Sequence, residues 1–136
     1  MQADLIARLR ADATLAGALA RHDGRSSIDL VTRPDRAAMP GMTVTEVNTN
    51  IDYNQSGATS WRETLIQFDI YAATAGETIA ASNALTALLH AEATVGATRF
   101  SRGYLDSARQ MRAEDTDGGE RVHRRSIDFR LVHRPA

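Results

Sequence analysis

The sequence predicts an α+β domain: a mainly antiparallel sheet of four to five strands with two helices packed on one face. Three observations carry that reading. Trp61 to Ala72 (WRETLIQFDIYA) sets Ile66, Phe68, Ile70 and Ala72 against Glu63, Gln67 and Asp69, the alternation of a half-buried strand. Directly after it, Thr74-Ala75-Gly76-Glu77 forms an S/T-x-x-E capping box, in which the Thr hydroxyl satisfies one orphan amide and Glu77 reaches back to another. The remaining third of the chain reads as two strands around a loop rich in Asp and Gly. Two amphipathic helices cannot cover both faces of such a sheet, so one face is left polar or covered by a partner.

Taken in order, residues 3 to 21 read as a helix, with Leu5, Leu9 and Ala16 near helical spacing and His22-Asp23-Gly24 as its stop. Ser27 to Thr32 is a short strand. Arg33 to Gly41 is a loop bracketed by Pro34 and the Pro40-Gly41 pair. Residues 42 to 51 (MTVTEVNTNI) form a strand, and the polar stretch 52 to 60 (DYNQSGATS) is a turn or exposed loop. After the strand ending at Ala72, a helix runs from the capping box to about Ala91 with Ile79, Ala81, Leu85, Leu88 and Leu89 as its buried stripe. Residues 97 to 112 form a long strand bent at Gly103, 113 to 119 is a hairpin loop, and 120 to 133 returns with Ile127, Phe129 and Leu131 facing in.

With 136 residues, the chain is the size of a single domain spanning 1–136, long enough to bury a core without disulfides or metal. A formal net charge of -1 and a pI near 6.4 argue against a general nucleic-acid binder. All 16 basic residues are Arg, which in an Ala-rich chain most simply reflects codon usage. Arg is also the residue suited to planar, bidentate pairing with carboxylates at interfaces. Cysteine is absent, which excludes disulfide scaffolds, thiolate zinc sites and cysteine nucleophiles. Arg8 and Arg10 followed by ADATLAGALA imitate a signal peptide, but Asp4 and Asp12 break its charge pattern. No stretch has the apolar length of a transmembrane helix, so no membrane partner is expected.

The chemistry-bearing residue types do not assemble into a catalytic, cofactor or metal pattern. His90 and Glu92 form an H-x-E string whose cysteine half is missing, and residues two apart do not share a helix face. His123 and His133 share strand parity but sit roughly 33 Å apart at about 3.3 Å per residue. Glu114, Asp115 and Asp117 cluster without an EF-hand spacing. There is no nucleophile elbow, no Walker A loop and no G-x-G-x-x-G. Neither an enzyme nor a cofactor is expected.

Interaction features are richer. Trp61 opens a strand beside a polar loop, as a cover for the core edge or as an interface anchor. Arg121, Arg124, Arg125, Arg130 and Arg134 line the last strand, and Arg99, Arg102, Arg109 and Arg112 its partner. Such a ribbon is either a solvated charged face or a ladder set against the Asp and Glu of a neighbouring copy.

The segment RRSIDFRLV (Arg124 to Val132), after a hairpin with an acidic, Gly-containing tip, resembles the ending of the small phage tail-completion proteins of the tail terminator superfamily. Other pieces sit in the same order: the ADATLAGAL helix (Ala11 to Leu19), the Pro34 to Pro40 loop leading into a strand, the FDIYA strand end (Phe68 to Ala72) and the helix opened by Ala73 to Glu77. The resemblance spans almost the whole chain. It departs where the family has an aromatic strand after its second proline and this chain reads GMTVTEV (Gly41 to Val47).

The resemblance implies a tail-terminator-like fold and a structural virion protein of a long-tailed phage or gene transfer agent, assembled in the host bacterial cytoplasm. Such proteins form a hexameric ring that caps the head-proximal end of the tail tube, ends its polymerisation and joins the tail to the head. The implied partners are other copies of the chain, the tail tube protein and a head-tail connector or stopper, with DNA passing through the lumen. Arg109, Arg112, Arg124 and Arg130, with Asp69 and Trp61, are then the expected subunit interface, and Glu114, Asp115 and Asp117 the expected lumen or rim loop. The rival readings are another neck, head-completion or tail component, or a small enzyme with an organised polar pocket.

Overall fold

The computed structural model describes residues 1–22, 24–32, 38–115 and 119–136. Helices α1 (Gln2–Ala11) and α2 (Ala13–Ala18) open the chain, followed by the two-residue strands β1 (Arg21–His22) and β2 (Arg25–Ser26), which pair with each other. The main sheet holds β3 (Ile28–Leu30), β4 (Gly41–Asn54), β5 (Gly57–Ala72), β6 (Ala93–Val95), β7 (Thr98–Phe100), β8 (Tyr104–Gln110) and β10 (Arg121–Pro135), with helix α3 (Ala75–Leu89) between β5 and β6. β9 (Glu114–Asp115) pairs with the start of β10.

This is an α+β fold, but the sheet is larger and more mixed than the sequence predicts. It has eight strands, with order β3-β4-β5-β10 and then β7, β8 and β9 ranged along the far edge of β10. β3 runs parallel to β4, and the other pairings are antiparallel.

Among the described residues the helices number three because residues 3 to 21 are not one helix. Asp12 takes an extended conformation (φ -78°, ψ 119°), and its carboxylate accepts a hydrogen bond from Leu15 N at 2.9 Å, ending α1 and capping α2 in one residue. The stretch 52 to 60 is likewise no loop. β4 and β5 continue to a two-residue turn, with Tyr53 opposite Ala58 and Asn54 opposite Gly57, so polar composition here marks an exposed ribbon rather than an absence of strand. Only its base is covered: β4 is buried from Gly41 to Val44 and exposed from Glu46 on.

The long strand of residues 97 to 112 breaks at residues 101–103 into β7 and β8, both paired to β10. Gly103 N donates to Leu89 O at 2.7 Å, drawing the chain against the end of α3. A Cβ on Gly103 would stand 2.7 Å from that same carbonyl oxygen, so close approach is possible only without a side chain.

The core lies between the helices and one face of the sheet. Leu5, Leu9 and Leu15 from the first two helices and Ala81, Leu85 and Leu89 from α3 meet Met42, Ile66, Phe68, Ile70, Ile127, Phe129 and Leu131. Phe68 and Phe129 pack edge to face at 6.5 Å. The α3 stripe is Thr78, Ala81, Ser82, Ala84, Leu85 and Leu89, whereas Ile79 is exposed and Leu88 only partly buried. The stripe is rotated from the predicted one because two small polar residues, Thr78 and Ser82, sit inward. Their hydroxyls are bonded there, Thr78 to Ala75 O at 2.6 Å and Ser82 to Arg125 Nε at 3.1 Å.

At the start of α3 the capping box is half as expected. Thr74 Oγ1 accepts from Glu77 N at 3.2 Å, and the Glu77 carboxylate takes the Thr74 hydroxyl at 3.1 Å. Thr74→Ala is expected to lower stability by about 1 kcal/mol in urea denaturation, with the unfolding slope unchanged.

Candidate assembly site

The sheet face turned away from the helices is built by strict alternation. Glu63, Leu65, Gln67, Asp69 and Tyr71 of β5 stand across from Val132, Arg130, Asp128, Ser126 and Arg124 of β10. Tyr104, Ser107 and Arg109 extend the same face onto β8. The expected interface residues are therefore brought together for the most part, but their charges are satisfied inside one chain.

Arg124 holds Asp69 through Nε at 3.2 Å and Nη2 at 3.1 Å, and its guanidinium lies 5.7 Å from the Tyr71 ring. Asp69 is buried, not solvent-facing, because Arg124 and Gln67 Nε2, at 3.0 Å, close over it. Burial works against the Arg124 charge, but the Asp69 carboxylate outweighs it and lifts its pKa above the ordinary value. Arg109 reaches Asp128 at 3.3 Å, and Ser107 donates to the same carboxylate oxygen at 3.0 Å. Arg130 bridges Glu63 at 2.9 Å and Asp106 at 3.1 Å, and these two hydrogen bonds raise its pKa.

Three guanidiniums thus face four carboxylates in a lattice in which every one of these cations is paired and one negative charge is left in excess. Each exposed pair contributes little to stability, but together they fix the arrangement of charge on the face.

Arg112 is different. It is exposed, follows β8, and has no ion-pair partner among the described residues; Arg99 and Arg102 share that condition. Glu114 and Asp115 are exposed on β9, with Asp115 bound to Arg121 at 3.2 Å. Asp117 lies outside the described residues.

Trp61 is half-buried near the far end of β5, with the Arg134 guanidinium 4.9 Å from its ring. It lines an open cleft of about 490 Å³ with Asn50, Ile51, Arg62, Ser101 and Val132. Asp52 and Glu63 line it as well, so the cleft combines apolar walls with a guanidinium and two carboxylates. Among the described residues no group of three or more His, Asp or Glu side chains is placed to hold a metal ion. No helix is long and apolar enough to cross a membrane.

Two polar features were not visible as such in the sequence. Arg8 is buried in α1 and donates from Nη2 to Leu88 O at 2.8 Å and Ala91 O at 2.6 Å, with Phe100 5.3 Å beneath it. The segment that imitates a signal peptide is thus part of the core. His133 is buried with Nε2 2.7 Å from Thr64 Oγ1, which lies 3.0 Å from Thr49 Oγ1; Thr49 in turn bonds Glu46.

Burial lowers the His133 pKa, the N-terminal ammonium and Arg62 lower it further, and Glu46 opposes them. The unfolded chain therefore takes up this proton before the folded one as pH falls. Stability is full above the unfolded value near 6.5 and is lost as pH falls from there toward the depressed folded value. Urea midpoints measured from pH 7.5 down to 5.5 are expected to decline in the parent, and the decline to be shallower in His133→Gln.

The chain matches the family model described as tail completion protein gp17 over residues 3–134. Its fold is similar to a chain in the virion of a native gene transfer agent particle, with a TM-score of 0.64 at 19% identity, covering 98% of this chain and 94% of that one. Curated proteins yield no match.

Proposed function

Because the chain belongs to the tail completion protein gp17 family, we propose that it is a hexameric ring protein capping the head-proximal end of a phage or gene-transfer-agent tail tube. The observation that carries this reading is a family match over nearly the whole chain, residues 3–134. Its action is steric. One rim adds to the last ring of tail tube protein and stops its growth, while the other meets a connector or stopper on the head.

This face, with its three guanidiniums paired to four carboxylates, suits the wall of a lumen through which DNA passes. Three Arg committed to four carboxylates leave no cation free to trap phosphates, whereas unpaired Arg there would hold DNA by counterion release. In this reading the exposed Glu114 and Asp115, with Asp117, stand at the lumen edge or a rim, and the unpaired Arg112 looks toward a neighbour. Assembly takes place in the host bacterial cytoplasm.

Mass measurement and electron microscopy of the purified protein, alone and with polymerising tail tube protein, test the proposal. Six-membered rings and tubes capped at one end are the expected result. A strict monomer that leaves tube growth unaffected would remove the ring reading, and binding to heads without tubes would move the protein to a head-completion role.

A further inference from the structure

Six of the nine exposed large apolar side chains among the described residues lie on or beside two strands: Val47, Ile51 and Tyr53 on β4, and Tyr104, Leu105 and Met111 on and just after β8. These strands are opposite edges of one sheet. Beyond Val44, where β3 and the Val31 N–H stop covering it, β4 pairs only with β5 among the described residues. Among the described residues β8 pairs only with β10. Each edge offers a row of backbone groups free to pair, with apolar side chains beside it, the condition in which strands add to one another.

Strand directions decide how. β4, β5, β10 and β8 are successively antiparallel, so β8 runs opposite to β4. When copies are related by rotation about a ring axis, β8 of one therefore meets β4 of the next antiparallel, by a head-to-tail contact able to close a ring. Resting on the ring reading above, we infer that the ring closes by strand addition, with β8 of each copy pairing onto the open Thr45–Asn54 stretch of the next copy's β4.

The register follows from the ladders. Gln110 is level with Met42 through Arg125 and Ile70, and Tyr104 with Asn48 through Arg130 and Leu65. Flush copies would bring the upper half of β8 against Met42 to Val44, which β3 already occupies. A slip of about three residues, roughly 10 Å, places all of β8 on the open stretch and tilts the strands, as closure of any barrel requires. The same slip sets the unpaired Arg102 near Asp52.

The chain has no cysteine, so Val47→Cys and Ala108→Cys, both at exposed positions, introduce the only thiols. With a short bis-maleimide, the double variant should give a ladder of bands up to six copies in denaturing gels, and each single variant only monomer. Rings seen by microscopy without that ladder, or single variants that cross-link to dimers as efficiently as the double, would overturn strand addition while leaving the ring standing. Absence of rings in the uncross-linked parent would remove both. As a second arm, Arg102→Glu should raise the protein concentration needed for assembly by roughly tenfold, and adding Asp52→Arg should restore it. Unchanged assembly in Arg102→Glu, or no restoration in the pair, counts against this register.

Discussion

Arg8→Met is expected to lower the folding free energy by about 3 kcal/mol, enough to show as a large shift of the urea midpoint. The guanidinium is the only described side-chain donor to the carbonyls of Leu88 and Ala91, where α3 runs out of intrahelical partners; Leu88 O also accepts from Ala91 N at 3.3 Å. Methionine keeps the packing over Phe100 but leaves Ala91 O without its described donor and Leu88 O with backbone donors alone. Burial lowers the Arg8 pKa, with Asp12 opposing it, so the charge itself is held at a cost. Its Nε and Nη1 are buried without partners, and the two carbonyl bonds must offset that desolvation. Arg8→Lys should recover less than half of the loss, since a single ammonium cannot reproduce the planar fork.

Gly103→Val is expected to leave no cooperatively folded protein, and Gly103→Ala to cost about 3 kcal/mol. A Cβ there meets Leu89 O at 2.7 Å and Leu131 Cδ2 and Phe129 Cδ1 at 3.1 Å. The first contact is backbone and cannot rotate away. Relief therefore requires the 101–103 segment to lift from α3, which breaks the Gly103 N–H bond and opens the core at Phe129. Thermal unfolding followed by circular dichroism distinguishes the cases: a lowered but sharp transition for Ala, and none for Val.

Sequence pattern located the elements that bury one clean face. The alternation in β5 and β10 put Ile66, Phe68, Ile70, Ile127 and Phe129 inward, and the ladders agree. The polar ribbon of β4 and β5 escaped because a strand pair exposed on both faces has no hydrophobic period to read. The break at Asp12 escaped because a helix-capping Asp inside an Ala-rich run looks like a solvated helix residue. For the candidate site, the sequence identified the Arg ribbon but not its partners. Arg124 finds Asp69 across 55 positions, Arg130 finds Glu63 across 67, and only tertiary register brings them together. Reversing Arg124 to Glu would therefore set two carboxylates together on the buried side of that pair and test folding before assembly; Arg102 and Arg112 are the cleaner probes of contacts between copies.

β10 pairs with β5 on one side and with β7, β8 and β9 on the other, yet it follows all of them in the chain. During synthesis the strand that unites the sheet therefore emerges last. Until it docks, β5 waits beside β4 with one flank open, and β7 and β8 have no common partner. Long-range pairing of this kind slows folding and prolongs the exposure of unpaired edges. A β8 held in the sheet therefore exists only once β10 has arrived, and the face shared by β5, β10 and β8 is completed in one late step.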